Sequence, residues 1–253
     1  MKYFEIIAHR GVPTKAPENS MEAFQHAIKV GADGIEFDVR LTADRVPIIY
    51  HYFYLDEFTN GSGPIFDFTF DQIQNIRLLS NQIQKTLIYK ISTLEVVLEK
   101  IGGQIGLEIE IKGPEPESAE IIGEILNHYK HLFDKIEVTS YEPVLLRLVQ
   151  ECCPGIITDL LFPYSEKWMK SDVIAYLAIQ RARLARARAI HLHPTQLLPE
   201  IVSTIRKKGI QIHAWDVNDE ESLKKVVKLD INRICTDNFT QAFDFRKEPI
   251  NNT

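Results

Sequence analysis

A short apolar run followed by an amphipathic segment recurs along the whole chain, and no other feature limits the fold as tightly. Strand-like runs cover residues 4–8, 34–39, 106–111, 136–140, 156–161, 189–193, 210–217 and 233–236. Helix-like segments cover 20–30, 93–101, 118–129, 144–152, 171–189, 198–208 and 220–229. Several open on capping residues (Glu18-Asn19-Ser20, Ser92-Thr93, Asn218-Asp219), and Gly31 and Gly209 stand where helices should end. Strand–helix alternation implies a parallel sheet. Eight such units in 253 residues match the size of a (β/α)8 TIM barrel, an α/β fold. A doubly wound open sheet is the alternative; the lack of a glycine-rich dinucleotide fingerprint after the first strand weighs against it. With 45% hydrophobic and 25% charged residues, the chain can build one large domain over residues 1–253.

The beat breaks once, over residues 40–91. Residues 46–51 are strand-like but begin too soon after Val39 for a parallel crossover, so they are expected to return antiparallel. A turn near Ala43-Asp44-Arg45 then brings His51 to the level of Phe37 and Asp38. The rest, 52–91, reads as a small insertion after the second barrel strand, with turn formers clustered at 59–64. Barrel active sites lie at the C-terminal rim, so an insertion there suits a substrate-covering role. The polar tail after Arg246 is expected to fray.

Two strands carry charge on one face. Side chains at i and i+2 share a face of a strand, so Glu36 and Asp38 point together, as do Glu108, Glu110 and Lys112. Inward charges are costly unless paired or metal-bound. Three carboxylates at one rim repel by about 4 kcal/mol per close pair at intermediate dielectric. A hard cation with oxygen ligands, Ca2+ or Mg2+, removes that penalty. An ion-pair network with Arg10, Arg40 or Lys112 is the competing reading. Glu108 sits one pleat deeper and is expected to support the others. His9-Arg10-Gly11 ends the first strand, joining a proton switch to a guanidinium fork that fits phosphate oxygens. His191, His193 and His213 read as satisfied polar residues. The arginines between 181 and 188 read as a solvated helix surface, with an oligomer contact as the alternative.

A formal net charge of -6 with no basic run gives no reason to expect nucleic acid or anionic membrane as a partner. Cys152, Cys153 and Cys235 are odd in number and two are adjacent, which fits buried thiols in a reducing compartment. No stretch approaches the roughly 20 apolar residues of a membrane span. A cytoplasmic protein without stable membrane insertion is expected.

The order His9-Arg10-Gly11, Pro17-Glu18-Asn19-Ser20, Gly31-Ala32-Asp33-Gly34-Ile35-Glu36-Phe37-Asp38-Val39 and Ile49-Tyr50-His51 resembles the glycerophosphodiester phosphodiesterases. Glu110-Ile111-Lys112 is similar to that family's Glu-x-Lys strand and Thr139-Ser140-Tyr141 to its Ser-aromatic strand end. Ala214-Trp215-Asp216-Val217-Asn218 is similar to its Trp-x-Val-Asn strand, and Cys235-Thr236-Asp237 to its closing Thr-Asp. The resemblance spans about residues 6–240. It implies a barrel with an insertion after the second strand and a divalent cation held by Glu36, Asp38 and Glu110. It also implies His9 and His51 as an acid–base pair that cleaves a glycerophosphodiester to sn-glycerol 3-phosphate and an alcohol. The glycerol 2-hydroxyl would attack, and water would open the resulting cyclic phosphate. Arg10 and Lys112 would bind phosphoryl oxygens, and Trp215 can pack on the glycerol carbons.

The chain departs from the family pattern in the insertion. Tyr52 stands where an Asp usually follows the second His, so His51 is expected to be less basic here. Leu55-Asp56-Glu57-Phe58-Thr59 replaces a Leu-Asp-Arg-Thr-Thr-like stretch, and Ser92 replaces a Pro. These changes touch recognition of the leaving alcohol. Phe53, Tyr54, Phe58, Phe66, Phe68 and Phe70 make a lysophospholipase D-like phosphodiesterase one alternative; a catalytically silent phosphodiester-binding barrel is another.

Overall fold

A computed structural model describes residues 4–14, 16–79 and 88–247. The tail beyond Lys247 and insertion residues 80–87 lie outside them. Eight parallel strands close into a barrel: β1 (Glu5–His9), β2 (Gly34–Leu41), β3 (Gly106–Ile111), β4 (Ile136–Ser140), β5 (Ile157–Leu161), β6 (Ala189–Leu192), β7 (Gln211–Ala214) and β8 (Arg233–Thr236). Each strand pairs with its neighbours in sequence, and β1 pairs with both β2 and β8, which shuts the ring. The outer helices are α1 (Met21–Val30), α2 (Leu94–Ile101), α3 (Pro116–Asn127), α4 (Pro143–Cys152), α5 (Ser171–Ala185), α6 (Pro199–Arg206), α7 (Glu220–Lys228) and α8 (Phe239–Lys247). This is the expected barrel; α8 follows β8 and lies outside the helix-like segments read from the sequence.

Capping sets the helix limits. The Ser20 side chain accepts from the Ala23 amide and Gly31 ends α1 at φ 82, contributing on the order of 1 kcal/mol at the N-cap. Arg186 ends α5 in the same left-handed region at φ 51, so the helix stops earlier than the expected 189 and Arg188 leads into β6. The arginine run is therefore not one solvated face. Arg183 and Arg186 are exposed, whereas Arg181 donates to the Tyr141 carbonyl and Arg188 reaches into the barrel.

The core lies between the sheet and the helices, where Ile35, Phe37 and Val39 of β2 and Leu107, Ile109 and Ile111 of β3 join Phe24 and Val97. The alternate residues face the barrel axis, and many are buried polar groups: Glu36, Asp38, Glu108, Glu110, Glu137, Asp159, His191 and His213. In the lower layers they neutralise one another. Arg188 pairs with Glu137 and Asp159, and Arg233 with Glu5 and Glu137. His191 lies 3.4 Å from Glu108 and shares a 3.1 Å hydrogen bond with His213. Burial and the neighbouring Glu137 push the Glu108 carboxyl well above the usual carboxylate range, one pleat below Glu110. Glu137, Asp159, His191 and His213 come close enough to hold an ion, but Arg188 already supplies the positive charge.

The chain returns after β2 as expected. The strand Pro47–Ile49 runs antiparallel to β2, with Val39 opposite Ile49. The Tyr50 amide donates to the Asp38 carbonyl at 3.0 Å, which sets His51 beside the top of β2. The described insertion builds a second small core from Tyr50, Leu55, Ile65, Ile73, Leu78 and Tyr89.

Arg188→Ala would leave the buried Asp159 carboxylate without its arginine, while Glu137 keeps Arg233. Urea denaturation should show a loss of about 3–5 kcal/mol.

Candidate active site

The turn after β1 sets the first two groups. Arg10 and Gly11 both have left-handed backbone, at φ 53 and 85. Only glycine fits at 11, because a Cβ there would lie 2.8 Å from the Ala23 backbone. The turn aims the Arg10 amide at Glu36, 3.1 Å from Oε2. The Arg10 side chain lies 3.2 Å from Asp38 and donates to Glu18 at 2.9 Å.

Register then assembles the acids. β1 sets His9 beside Glu36, and β3 sets Glu110 beside Asp38. Carboxylate oxygens of Glu36, Asp38 and Glu110 all lie within 4.8 Å of one another, and all three residues are buried. Asn19 holds Asp38 through its side-chain amide at 2.8 Å. Lys112 Nζ stands 2.9 Å from Glu110 and 3.4 Å from Asp38. Glu36 Oε1 and Asp38 Oδ1 have no hydrogen-bond partner. Buried, all-oxygen donors at this spacing fit a hard divalent cation.

Their ionisation shows the strain of crowding. Burial and the Asp38 charge push Glu36 up to about 8. Burial lifts Glu110 to about 7 despite Lys112. Burial would also raise Asp38, but Lys112 and then Arg10 outweigh it and hold its carboxyl below the usual range.

The two histidines enter from opposite flanks. Burial opposes charge on His9, yet a hydrogen bond to Asp237 and the nearby Glu36 carboxylate raise it to about 9. That hydrogen bond, His9 Nδ1 to Asp237 Oδ1, is 2.6 Å. Asn218 steadies Asp237 in turn, accepting from its amide at 2.8 Å. Burial pushes His51 down to about 3, against the pull of Asp38. Tyr52 packs its ring edge-on to His51 at 4.5 Å and places its hydroxyl 3.3 Å from Arg10.

A cavity of about 240 Å3 joins these groups to the far side of the barrel mouth, lined there by Tyr141, Leu161, Trp215 and Asp216. All the residues proposed from sequence for catalysis, phosphate and metal binding meet at this mouth except Asp38, which lies just beneath its surface. Glu18, Asn19, Asp237 and Asn218 were not singled out as site residues. The Pro17–Ser20 and Thr-Asp motifs were the available signals, but their partners lie on distant strands. A separate cavity of about 330 Å3 opens at the other end of the barrel, where Arg188 and Arg233 are already paired with acids.

With this geometry in place, comparison identifies the lineage. The glycerophosphoryl diester phosphodiesterase family matches residues 9–241. The chain belongs to that family. Bacillus subtilis YhdW is 32% identical over 235 residues, covering 92% of this chain and 93% of the relative. A glycerophosphodiester phosphodiesterase of Caldanaerobacter subterraneus is 31% identical over 240 residues, covering 92% and 93%. Among solved structures, an Oleispira antarctica phosphodiesterase in complex with the product sn-glycerol-3-phosphate shares the fold at a TM-score of 0.82 and 24% identity, covering 96% of each chain. Among the described residues no helix is long and apolar enough to cross a membrane.

Ligation requires ionised carboxylates, so cation binding must displace protons from Glu36 and Glu110. Calorimetry at pH 7 in buffers of different ionisation enthalpy should show release of roughly one to two protons per cation. Apparent affinity should rise with pH and level off only above pH 8, once both carboxyls are ionised.

Proposed function

We propose that this chain is a metal-dependent phosphodiesterase that hydrolyses glycerophosphodiesters to sn-glycerol 3-phosphate and an alcohol. The carrying observation is the convergence at one barrel mouth of a carboxylate cluster, two phosphate-matched cations and two imidazoles with opposite protonation preferences. Glu36, Asp38 and Glu110 are the proposed ligands of Ca2+ or Mg2+, which when bound supplies Lewis-acid charge to a phosphoryl oxygen.

Arg10 and Lys112 bind the non-bridging oxygens and stabilise charge gained in the transition state. Glu18 and Asp38 hold the Arg10 guanidinium in place, which limits the reorganisation needed when substrate arrives. Of His9 and His51, one takes the proton of the glycerol 2-hydroxyl as its oxygen attacks phosphorus. The other gives a proton to the departing alcohol oxygen as its bond to phosphorus breaks. The roles then reverse: water attacks the cyclic phosphate, the ring opens, and one water is consumed overall. Asp237 orients the His9 ring and stabilises its charged form. Trp215 forms an apolar wall for the glycerol carbons.

Residues 1–253 are proposed to act as one catalytic domain. The three free cysteines suit a reducing compartment, and a cytoplasmic setting is part of the same proposal. A lysophospholipase D-like activity has one observation in its favour. Phe53, Tyr54 and Phe66 of the insertion are about half exposed, so they do not serve only to pack it.

Glycerophosphocholine hydrolysis should stop with EDTA and return with Ca2+ or Mg2+. His9→Ala and His51→Ala should each lower kcat by about 100- to 10,000-fold. Turnover indifferent to chelation would overturn the cation site, and intact turnover in both variants would overturn the acid–base pair.

A further inference from the structure

The barrel mouth is divided. Its charged half comes from β1, β2 and β3, which supply His9, Arg10, Glu36, Asp38, Glu110 and Lys112. Four strands around from β2 stands β6, and the segments after β5 and β7 beside it build a half of different character. Trp215 meets Tyr164 edge-on at 4.9 Å. The carboxylate of Asp216 accepts from the Tyr164 hydroxyl at 3.0 Å and from the Asn218 amide. Asp216 lines the same cavity as Arg10 and Lys112 and is about one-third exposed, so its oxygens keep acceptor capacity facing the ligand space.

Two further observations mark Asp216 as more than a loop acid. Its backbone is left-handed, at φ 61, as is that of Arg10 at the end of β1. Residues held in this region cluster where a side chain must be aimed at a ligand. Beside it, the Trp215 ring lines the same cavity, with its indole N–H enclosed. The acceptor oxygens of Asp216 ask for a group that donates. A hydroxyl does this; a quaternary ammonium does not.

We propose that Asp216 is a specificity-determining residue that accepts a hydrogen bond from the primary hydroxyl of the substrate's glycerol arm, restricting the enzyme to diesters of unacylated glycerol. The assignment rests on the phosphodiesterase reading above. The phosphate is drawn to the β1–β3 half, and the glycerol carbons lie along Trp215 with the primary hydroxyl at Asp216. In a lysophospholipid acylated at that position the hydroxyl is gone. An ester oxygen would then face the carboxylate, two acceptors set against each other with the hydrogen bond lost. The cavity of about 240 Å3 also falls below the roughly 300–1,000 Å3 of pockets for drug-sized ligands, in keeping with a small polar substrate.

The test compares three substrates: glycerophosphocholine, its analogue with the primary hydroxyl replaced by hydrogen, and a short-chain 1-acyl lysophosphatidylcholine. The wild type should favour the first by on the order of 10- to 100-fold in kcat/KM. Asp216→Ala should lose most of that on glycerophosphocholine, leave the deoxy analogue unchanged, and narrow the gap to the lysophospholipid. Asp216→Asn, which keeps an acceptor oxygen, should fall between. Turnover of the deoxy analogue reports that each variant is folded. Equal losses on all substrates would reduce Asp216 to a structural support and overturn the proposal. A loss on glycerophosphocholine but not on glycerophosphoglycerol would place the choline ammonium there, and would overturn it too. A wild type that cleaves all three equally well leaves the phosphodiesterase reading standing and removes the Asp216 assignment. A wild type that cleaves none, with either cation present, removes the reading itself and this assignment with it.

Discussion

The pairing of β2 with β3 in a single register is the constraint on which the barrel mouth depends. Asp38 lies opposite Glu110 and Glu36 opposite Glu108, so four acids stack along two neighbouring strands. A slip of one residue would turn all four toward the helices and put Phe37 and Ile109 on the axis. The slip is opposed by the apolar residues between the acids, which are fully buried beneath the helical layer. The outer core therefore sets the position of groups that it does not touch. Crowding the acids costs several kcal/mol at intermediate dielectric. The Arg10 turn and Lys112 offset part of it, and the raised carboxyls of Glu36 and Glu110 show that they do not offset all.

The barrel axis is polar from one end to the other, but its two ends solve the same electrostatic problem differently. In the lower layers Arg188 and Arg233 pair directly with Glu5, Glu137 and Asp159, and burial beside Glu137 pushes the Glu108 carboxyl well above the usual carboxylate range. At the upper mouth Arg10 and Lys112 stand against Glu36, Asp38 and Glu110, and Glu36 Oε1 has no hydrogen-bond partner. The upper acids lie at the open barrel mouth, where a cation can reach them, whereas Glu137 and Asp159 of the lower cluster are already held by Arg188.

Much of this was legible in the sequence because it depends on local periodicity. The apolar side of each strand marks the outer core, and the alternating acids of β2 and β3 mark the inner face, so Glu36, Asp38, Glu110 and Lys112 follow from i, i+2 spacing. His51 followed from loop length, because the return after β2 is too short to be parallel. What escaped was set by closure of the ring. Asp237 meets His9 across 228 residues, and Asn19 meets Asp38 through a turn rather than a strand. The arginines between 181 and 188 look alike in sequence; the left-handed cap at Arg186 separates the exposed side chains from Arg188, which enters the barrel. A helical wheel carries no information about where the helix stops.

The division of the mouth into two halves has a consequence for how such a site can change. In the proposed reaction, charge for phosphate comes from the ends of β1 and β3, and protons from His9 and from His51 beyond the return strand, with Asp237 of the β8 end behind His9. The aromatic wall and Asp216 come from the segments after β5 and β7, which meet that machinery through Asn218, bonded to both Asp216 and Asp237, and through Tyr141, edge-on to Trp215 and 5.9 Å from Lys112 Nζ. The insertion forms a third sector, and Tyr52 ties it to the phosphate side through Arg10. Substitutions in the aromatic half can therefore alter which arm of a diester is accepted while the carboxylates and imidazoles keep their geometry. Substitutions at Tyr52 cannot be separated in this way, because its ring borders His51 and its hydroxyl borders Arg10. A change of leaving alcohol through the insertion would act on rate as well as on recognition.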